Sequence, residues 1–127
     1  MKNKNSEYLE KIRPQLECVT VAQFSAYLNA VGASKKCLSC GSHELVALTT
    51  HRLPETLSQD DQHLEAKEIF EKYTFMQIHY GYSELDIIVG SDIFFRTTCK
   101  NCGFTMSYVA PKVTHWIQKE KESHTDE

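Results

Sequence analysis

One segment near the N-terminus has the apolar spacing of an amphipathic helix. Its apolar residues recur at steps of three, four and three, namely Val21, Phe24, Leu28 and Val31. Thr20 followed by Gln23 forms a capping-box pattern at the start of the segment. Gly32 suits the left-handed position that ends many helices. The pattern therefore predicts a helix between Thr20 and Gly32.

Three weaker helical patterns lie outside this segment. The stretch SEYLEKI predicts a short helix with Ser6 as its N-cap, and Pro14 predicts a break or a new start because proline lacks an amide hydrogen. A poor apolar stripe predicts a further helix near residues 63–73. Pro111 suits the first turn of a C-terminal helix, which places three apolar residues on one side: Val113, Trp116 and Ile117.

The remaining apolar stretches favour strands. Four segments are rich in β-branched and aromatic residues and are bounded by turn residues, namely 44–52, 74–82, 85–98 and 104–110. The third segment forms one strand or two, because Gly90 and Asp92 interrupt it. Helices towards both ends with strands between them predict an α+β fold with an antiparallel sheet.

Two pentads of the form C-x-x-C-G, CLSCG at residues 37–41 and CKNCG at residues 99–103, carry the clearest chemistry. Two residues between paired cysteines let one tight turn present both thiolates to one ion, and glycine permits the positive φ that such a turn needs. Fifty-eight residues separate the pentads, and a long insertion adds little to the cost of closing a loop. The pair predicts one zinc ion with four ligands: Cys37, Cys40, Cys99 and Cys102.

Three other interpretations of the pentads stay open. Each C-x-x-C can form a redox disulfide, although that motif precedes a helix in thioredoxin-like proteins and both pentads here precede β-favouring segments. Iron can replace zinc on four thiolates. His43 can replace one cysteine as a ligand, although we expect it to be a surface residue of the following strand.

A four-cysteine zinc site has no open position for water, so we expect a structural ion and a protein that is not an enzyme. The sequence has neither an H-E-x-x-H helix nor paired carboxylates at a glycine-rich turn. Asp60, Asp61 and His63 form at most a weak second metal site, and we expect a polar loop there. We expect the fifth cysteine, Cys18, to be a small buried apolar residue.

Composition adds a cellular setting and a charge pattern. The chain has 127 residues, of which 41% are hydrophobic, and a net charge of −3. We find no apolar run long enough for a bilayer and no signal-peptide core, so we expect a cytoplasmic protein without a membrane segment. Residues 37–95 carry ten acidic and three basic side chains, whereas residues 96–113 carry three basic and no acidic ones.

The stretches CLSCGSHELVAL and IFFRTTCKNCGFTMSYVAPKVTHWI resemble small bacterial zinc-ribbon proteins. Those proteins have a C-P-x-C-G knuckle, a strand, a variable middle, an apolar strand that leads into T-C-x-N-C-G-[YF], and a short terminal helix. The chain departs from that pattern at Leu38, where proline is usual, and in its longer acidic middle. We therefore predict a zinc-ribbon domain at 36–118 with an acidic insertion at about 53–90, an N-terminal helical arm at 1–35 and a flexible tail at 119–127.

The first functional hypothesis is a non-catalytic protein-interaction or regulatory module, such as an inhibitor of a larger complex, held together by one structural zinc ion. The acidic middle supports a protein partner. Exposed aromatic residues at Tyr80, Tyr82 and Trp116 would support it too, although core packing explains them better.

The alternative is a nucleic-acid-binding zinc ribbon linked to transcription or to DNA and RNA machinery. Arg96, Lys100 and Lys112 would contact phosphates, and Phe104 and Tyr108 would stack on bases. Three basic residues provide few phosphate contacts, which favours the first hypothesis. The oligomeric state has no signature in the sequence.

Overall fold

The computed structural model describes residues 4–81 and 92–125. Four helices lie in these residues: α1 (Lys4–Leu16), α2 (Val21–Val31), α3 (Ala66–Lys72) and α4 (Ala110–Thr125). Six strands accompany them: β1 (Leu45–Ala47), β2 (Thr49–His51), β3 (Thr74–Met76), β4 (His79–Tyr80), β5 (Ile93–Cys99) and β6 (Thr105–Val109). All strand pairs are antiparallel, so the predicted α+β class is confirmed.

Helix α2 forms as the local sequence predicts. The Thr20 side chain accepts a hydrogen bond from the Gln23 amide at 3.2 Å, and the Gln23 side chain accepts one from the Thr20 amide at 3.1 Å. Gly32 ends the helix in the left-handed conformation, with φ of 72°. Phe24 on the predicted apolar face is buried, but Val31 is 54% exposed because the last turn projects beyond the core.

The prediction for α1 was wrong at both ends. The helix begins before Ser6, so Ser6 is not its N-cap, and it continues through Pro14. Proline so close to the end of a helix costs few backbone hydrogen bonds, and the Glu17 amide still bonds to the Arg13 carbonyl at 2.9 Å. Burial of Leu16 in the core provides the reason to continue the helix past the proline.

The two later helices also follow the sequence in part. Helix α3 lies inside the predicted 63–73 segment. Helix α4 begins at Ala110, one residue before Pro111, and buries Val113 and Ile117. It extends to Thr125, so residues 119–125, which we predicted as part of a flexible tail, are helical. Their lysine and glutamate residues have high helix propensity, which carries the helix beyond its buried stripe.

Strand β5 is the centre of the larger sheet. Strands β1 and β4 pair with one edge of β5, and β6 pairs with the other. Alternate residues of β5 are buried, in the order Ile93, Phe95, Thr97 and Cys99. Because side chains alternate across a strand, one face of the sheet points into the core and ends at a cysteine.

Two segments that we predicted as single strands are each divided between two sheets. Strand β1 pairs with β5, whereas β2 turns away and pairs with β3; β4 then returns to β5. The Gln77 amide bonds to the Leu48 carbonyl at 3.0 Å, where both segments cross from one sheet to the other. The Arg52 amide bonds to the Tyr73 carbonyl at 3.0 Å, so β2 and β3 close the base of the intervening segment.

A single hydrophobic cluster joins the helices to the buried face of the sheet. It contains Leu16 and Phe24 from the N-terminal region, Phe95 from β5 and Val113 from α4. The Phe24 ring lies edge-on to the Phe95 ring, with 6.0 Å between centroids. The N-terminal helices therefore share the core of the sheet that carries the cysteines.

Parts of several predictions lie outside the described residues: the first half of the 85–98 strand segment, Tyr82, residues 82–90 of the acidic insertion, and residues 126–127 of the tail. In the portion of the chain that the structure describes, no helix is both long and apolar enough to cross a membrane.

Candidate metal centre

The four cysteines of the two pentads form one cluster at the end of the larger sheet. Their Sγ atoms all lie within 4.8 Å of one another. Across the cluster, Cys37 Sγ lies 3.5 Å from Cys102 Sγ, and Cys40 Sγ lies 3.7 Å from Cys99 Sγ. All four thiols are free rather than joined in disulfides. The four cysteines can thus hold one metal ion.

The two pentads form nearly identical turns, which we call the knuckles (residues 37–42 and 99–104). In the first, the Cys37 amide bonds to the Ser42 carbonyl at 2.8 Å, and the Gly41 amide bonds to the Cys37 carbonyl at 2.9 Å. In the second, the Cys99 amide bonds to the Phe104 carbonyl at 2.9 Å, and the Gly103 amide bonds to the Cys99 carbonyl at 2.8 Å. The same sequence pattern therefore makes the same local structure twice.

Glycine is needed in both knuckles because the backbone is left-handed there. The φ angle is 78° at Gly41 and 83° at Gly103. L-residues with a side chain seldom adopt such angles. The glycine thereby lets the chain reverse directly after the second cysteine of each pair.

Backbone pairing fixes the two knuckles against each other. Leu45 of β1 pairs with Cys99 at the end of β5. The Lys100 amide bonds to the Glu44 carbonyl at 2.9 Å. These contacts bring cysteines that are distant in sequence to one point, and they do so through the sheet.

Hydrogen bonds to sulfur lower the pKa of two thiols in the cluster. For Cys37 the main cause is the Cys40 amide, whose nitrogen lies 3.5 Å from the sulfur, and the Ser39 amide at 3.4 Å contributes. The Asn101 side-chain amide donates to Cys40 Sγ at 3.4 Å, and with the Ser42 amide it lowers the pKa of Cys40 to about 6. Both sulfurs are therefore biased towards the thiolate form that binds metals.

Cys102 behaves in the opposite way. The Phe104 amide acts to lower its pKa, but burial and the sulfurs of the three other cysteines together raise the pKa to about 11. Four neighbouring sulfurs resist the accumulation of negative charge, because like charges repel. A bound divalent cation would remove that resistance.

The donor set fits zinc. Four thiolates at a Zn–S distance of ~2.3 Å in a tetrahedron are separated by about 3.8 Å, and the two cross-cluster distances are 3.5 and 3.7 Å. A disulfide requires ~2.05 Å between sulfurs. Four thiolates also accept iron, so the geometry indicates a metal without identifying it. Sequence analysis did not predict the hydrogen bond from Asn101 to Cys40. The only sequence feature that could have indicated it is the position of Asn101 between the two cysteines of the second pentad.

One expectation about the other residues was wrong, and one polar residue has an unexpected position. Cys18 is exposed rather than buried, because it lies in the turn after α1. Asp61 is buried, with 1% of its surface exposed, and its carboxylate contacts the Lys72 ammonium and the Tyr73 hydroxyl. Those two partners lower the pKa of Asp61, the Lys72 hydrogen bond most strongly. The carboxylate anchors the preceding turn to α3, which is a structural role.

The three basic residues proposed for nucleic-acid contact lie in different settings. Arg96 Nε donates to Ser107 Oγ at 3.1 Å on the sheet. Lys100 is exposed on the second knuckle. Lys112 is exposed near the start of α4, which directly follows β6. The last residue of β6, Val109, pairs with Phe94 near the start of β5. The strand register therefore places Lys112 at the opposite end of the β5–β6 pair from Lys100.

The candidate aromatic residues are likewise divided. Phe104 and Tyr80 are partly exposed. Tyr108 packs edge-on against Phe24, with 5.4 Å between ring centroids, and Trp116 packs against Tyr27 at 6.0 Å. Tyr108 and Trp116 therefore contribute to packing.

Comparison of the chain with protein-family models, with curated proteins and with solved structures finds no match.

Proposed function

We propose that this chain is a non-catalytic zinc-binding protein of the zinc-ribbon type, in which one structural Zn²⁺ is held by Cys37, Cys40, Cys99 and Cys102. The observation that carries this proposal is the pair of matching knuckles, which bring four sulfurs within 4.8 Å of one another. Four thiolates complete the coordination of zinc, which leaves no position for a reacting water molecule. Zinc binding is expected to stabilise the fold because the unfolded chain has no preformed site.

Serine substitution tests the metal centre, and the chain offers a matched control. Cys99→Ser removes a ligand, whereas Cys18→Ser removes the cysteine outside the cluster. We expect the wild type and Cys18→Ser to purify with one equivalent of zinc, measured by elemental analysis. Cys99→Ser should lose the metal and melt at a lower temperature. A full equivalent of metal and an unchanged melting temperature in Cys99→Ser would refute the four-cysteine site.

The absorption spectrum distinguishes zinc from iron. Zinc has a filled d shell, so its tetrathiolate site is colourless. An iron tetrathiolate site absorbs visible light. A coloured protein with one equivalent of iron would retain the four-cysteine site but overturn the choice of metal.

We further propose that the knuckles bind a protein partner. Leu38 on the first knuckle is 70% exposed, and Phe104 on the second is 41% exposed. The proposal rests on one exposed apolar side chain on each of the two knuckles, which a protein partner would remove from water. Regulation of a larger complex would act through this surface.

Substitution of the two apolar residues tests the surface. Leu38→Ser with Phe104→Ser should abolish capture of a partner from an extract of the source organism, while zinc content stays at one equivalent. Val31→Ser, which removes an exposed apolar residue of α2, is the control and should retain capture. Equal capture by all variants would refute the knuckle surface.

Nucleic-acid binding has less support, and a salt-sensitive shift of DNA or RNA that Lys100→Glu abolishes would favour it instead.

A further inference from the structure

Strand β6 has an open edge. It pairs with β5 along one side, and no strand of the described residues pairs with its other side. Strand β6 is five residues long, whereas β1 and β4 at the opposite edge of the sheet have three and two. Its sequence, TMSYV, contains neither proline nor a charged side chain. Natural edge strands are commonly short or carry such residues, because an open edge pairs with other chains. Strand β6 lacks that protection.

The register determines which backbone groups of β6 point outward. The Cys99 amide donates to the Phe104 carbonyl at 2.9 Å, so these opposite residues form a hydrogen-bonded pair. Hydrogen-bonded and non-hydrogen-bonded pairs alternate along an antiparallel ladder. Met106 and Tyr108 therefore bond to β5 through their backbone groups. The backbone groups of the other three residues of β6 point away from β5: Thr105, Ser107 and Val109.

The opposite edge of β5 agrees with this alternation. The Leu48 amide donates to the Arg96 carbonyl at 3.0 Å, and Arg96 is the residue of β5 opposite Ser107. The Arg96 backbone therefore faces away from β6, as the register requires. Thr105 and Ser107 are both exposed. Their outward amide and carbonyl groups, two residues apart, have the spacing that an additional antiparallel strand needs.

The surface beside this edge is basic. Arg96 Nε donates to Ser107 Oγ at 3.1 Å, next to the middle of the open edge. Lys100 and Lys112 lie towards the two ends of the β5–β6 pair, and residues 96–113 include no acidic side chain. Opposite and diagonal side chains of neighbouring strands interact, so a residue opposite Ser107 on an added strand would lie within reach of Arg96. A carboxylate would be favoured there, whereas a second copy of β6 would bring a second arginine.

We propose that β6 binds an extended acidic segment of a partner protein, which joins the sheet as a further strand and places a carboxylate beside Arg96. Backbone hydrogen bonds to Thr105 and Ser107 would provide the affinity, and the pairing of carboxylate with guanidinium would provide the preference for an acidic segment. The inference goes beyond the metal centre and the knuckle surface. The strand edge is a separate surface, and its backbone groups are available whether or not Leu38 and Phe104 bind a partner.

NMR titration of the full-length, zinc-loaded protein with the peptide acetyl-ETVEVTE-amide tests the proposal. Paired antiparallel to β6, this peptide places its central glutamate opposite Ser107. We expect a dissociation constant between about 0.1 and 3 mM, since one short strand makes few contacts. The largest changes in shift should occur at the amides of Thr105 and Ser107. No binding up to about 10 mM would overturn the proposal. So would a dimer in sedimentation whose β6 amides are protected without peptide, because a second copy would then fill the edge.

N-methylation of the peptide distinguishes strand pairing from attraction between charges. The amide of the central glutamate would face β6, whereas the amides of the two valines would face away. Methylation of the glutamate nitrogen should therefore weaken binding at least about tenfold, and methylation of one valine nitrogen should change it less than about twofold. Both methylated peptides keep the same charge. Equal affinities of the two would refute pairing along the edge.

Variants test the carboxylate preference. Arg96→Gln should weaken acetyl-ETVEVTE-amide about threefold and leave acetyl-ETVQVTE-amide, whose central residue is uncharged, unchanged. Arg52→Gln makes the same change beside the smaller sheet and should affect neither peptide. Equal losses in the two variants would show attraction to general charge and refute the preference. Tighter binding of oligothymidylate than of the peptide at the same amides would assign the edge to nucleic acid instead. If Arg96→Gln fails to fold, the two peptides on the wild type decide: the glutamate peptide should bind about threefold more tightly.

Discussion

Replacing Gly103 by alanine tests whether the second knuckle depends on a left-handed residue. An added Cβ would meet no heavy atom within 4 Å, so the substitution introduces no steric clash. The cost comes from φ alone, which is 83°. An alanine in that conformation costs about 1–2 kcal/mol, and the stiffer unfolded chain returns part of this. We expect a net loss of about 1 kcal/mol in the free energy of unfolding of the zinc-loaded protein.

The same strain should appear in metal affinity. We expect metal binding to fix the knuckle in this conformation, so the strain should fall mainly on the bound state. A loss of about 1 kcal/mol corresponds to roughly fivefold weaker zinc binding, which competition with a chromophoric chelator measures. Gly41→Ala should have an equal effect because the first knuckle has the same hydrogen bonds and a φ of 78°.

Gly32 provides the control. It has a φ of 72° and equally open space around an added methyl group, but it ends α2 instead of a knuckle. Gly32→Ala should destabilise the fold by a similar amount and leave the zinc affinity unchanged. Wild-type affinity in Gly103→Ala, or an equal loss of affinity in Gly32→Ala, would refute the reasoning.

Two other substitutions test the buried carboxylate and the hydrogen bond to sulfur. Asp61→Asn should lower the melting temperature at neutral pH, whereas Asp60→Asn, at an exposed position, should not. Lys72 holds the pKa of Asp61 below its usual value. The difference in melting temperature between wild type and Asp61→Asn should therefore shrink as the pH falls below about 4. A difference that grows with acidification would contradict this assignment. Asn101→Ala removes the donor to Cys40 and should weaken zinc binding about tenfold in chelator competition, as expected for a residue that supports a ligand. Unchanged affinity would show that this hydrogen bond is dispensable.

Features that depend on neighbouring residues could be predicted from the sequence. The capping box that starts helix α2 and the glycine that ends it lie within one short segment, from Thr20 to Gly32. Both occur in the structure as the sequence pattern predicts. Each knuckle is likewise built from consecutive residues. The sequence could also predict that the knuckles meet, because a long segment between them adds little to the cost of closing the loop. In the structure, the pairing of β1 with β5 brings them together.

Features that depend on distant partners could not be predicted. The crossing of two segments at Leu48 and Gln77 is a tertiary contact, so each segment has the pattern of one continuous strand in the sequence. Asp61 lies in a polar stretch, and its burial depends on Lys72 and Tyr73, which follow eleven and twelve residues later.

The paired strands β2 and β3 give the chain a place where its length can change. The segment between Arg52 and Tyr73 begins and ends at neighbouring points of the fold, because the Arg52 amide nitrogen lies 3.0 Å from the Tyr73 carbonyl oxygen. A segment of different length joined at these two points would begin and end where the present one does, so the strands beside β5 would keep their register. This hairpin is therefore a suitable insertion site for a reporter domain. We expect such an insertion to leave the metal centre, at the far end of β1, unchanged.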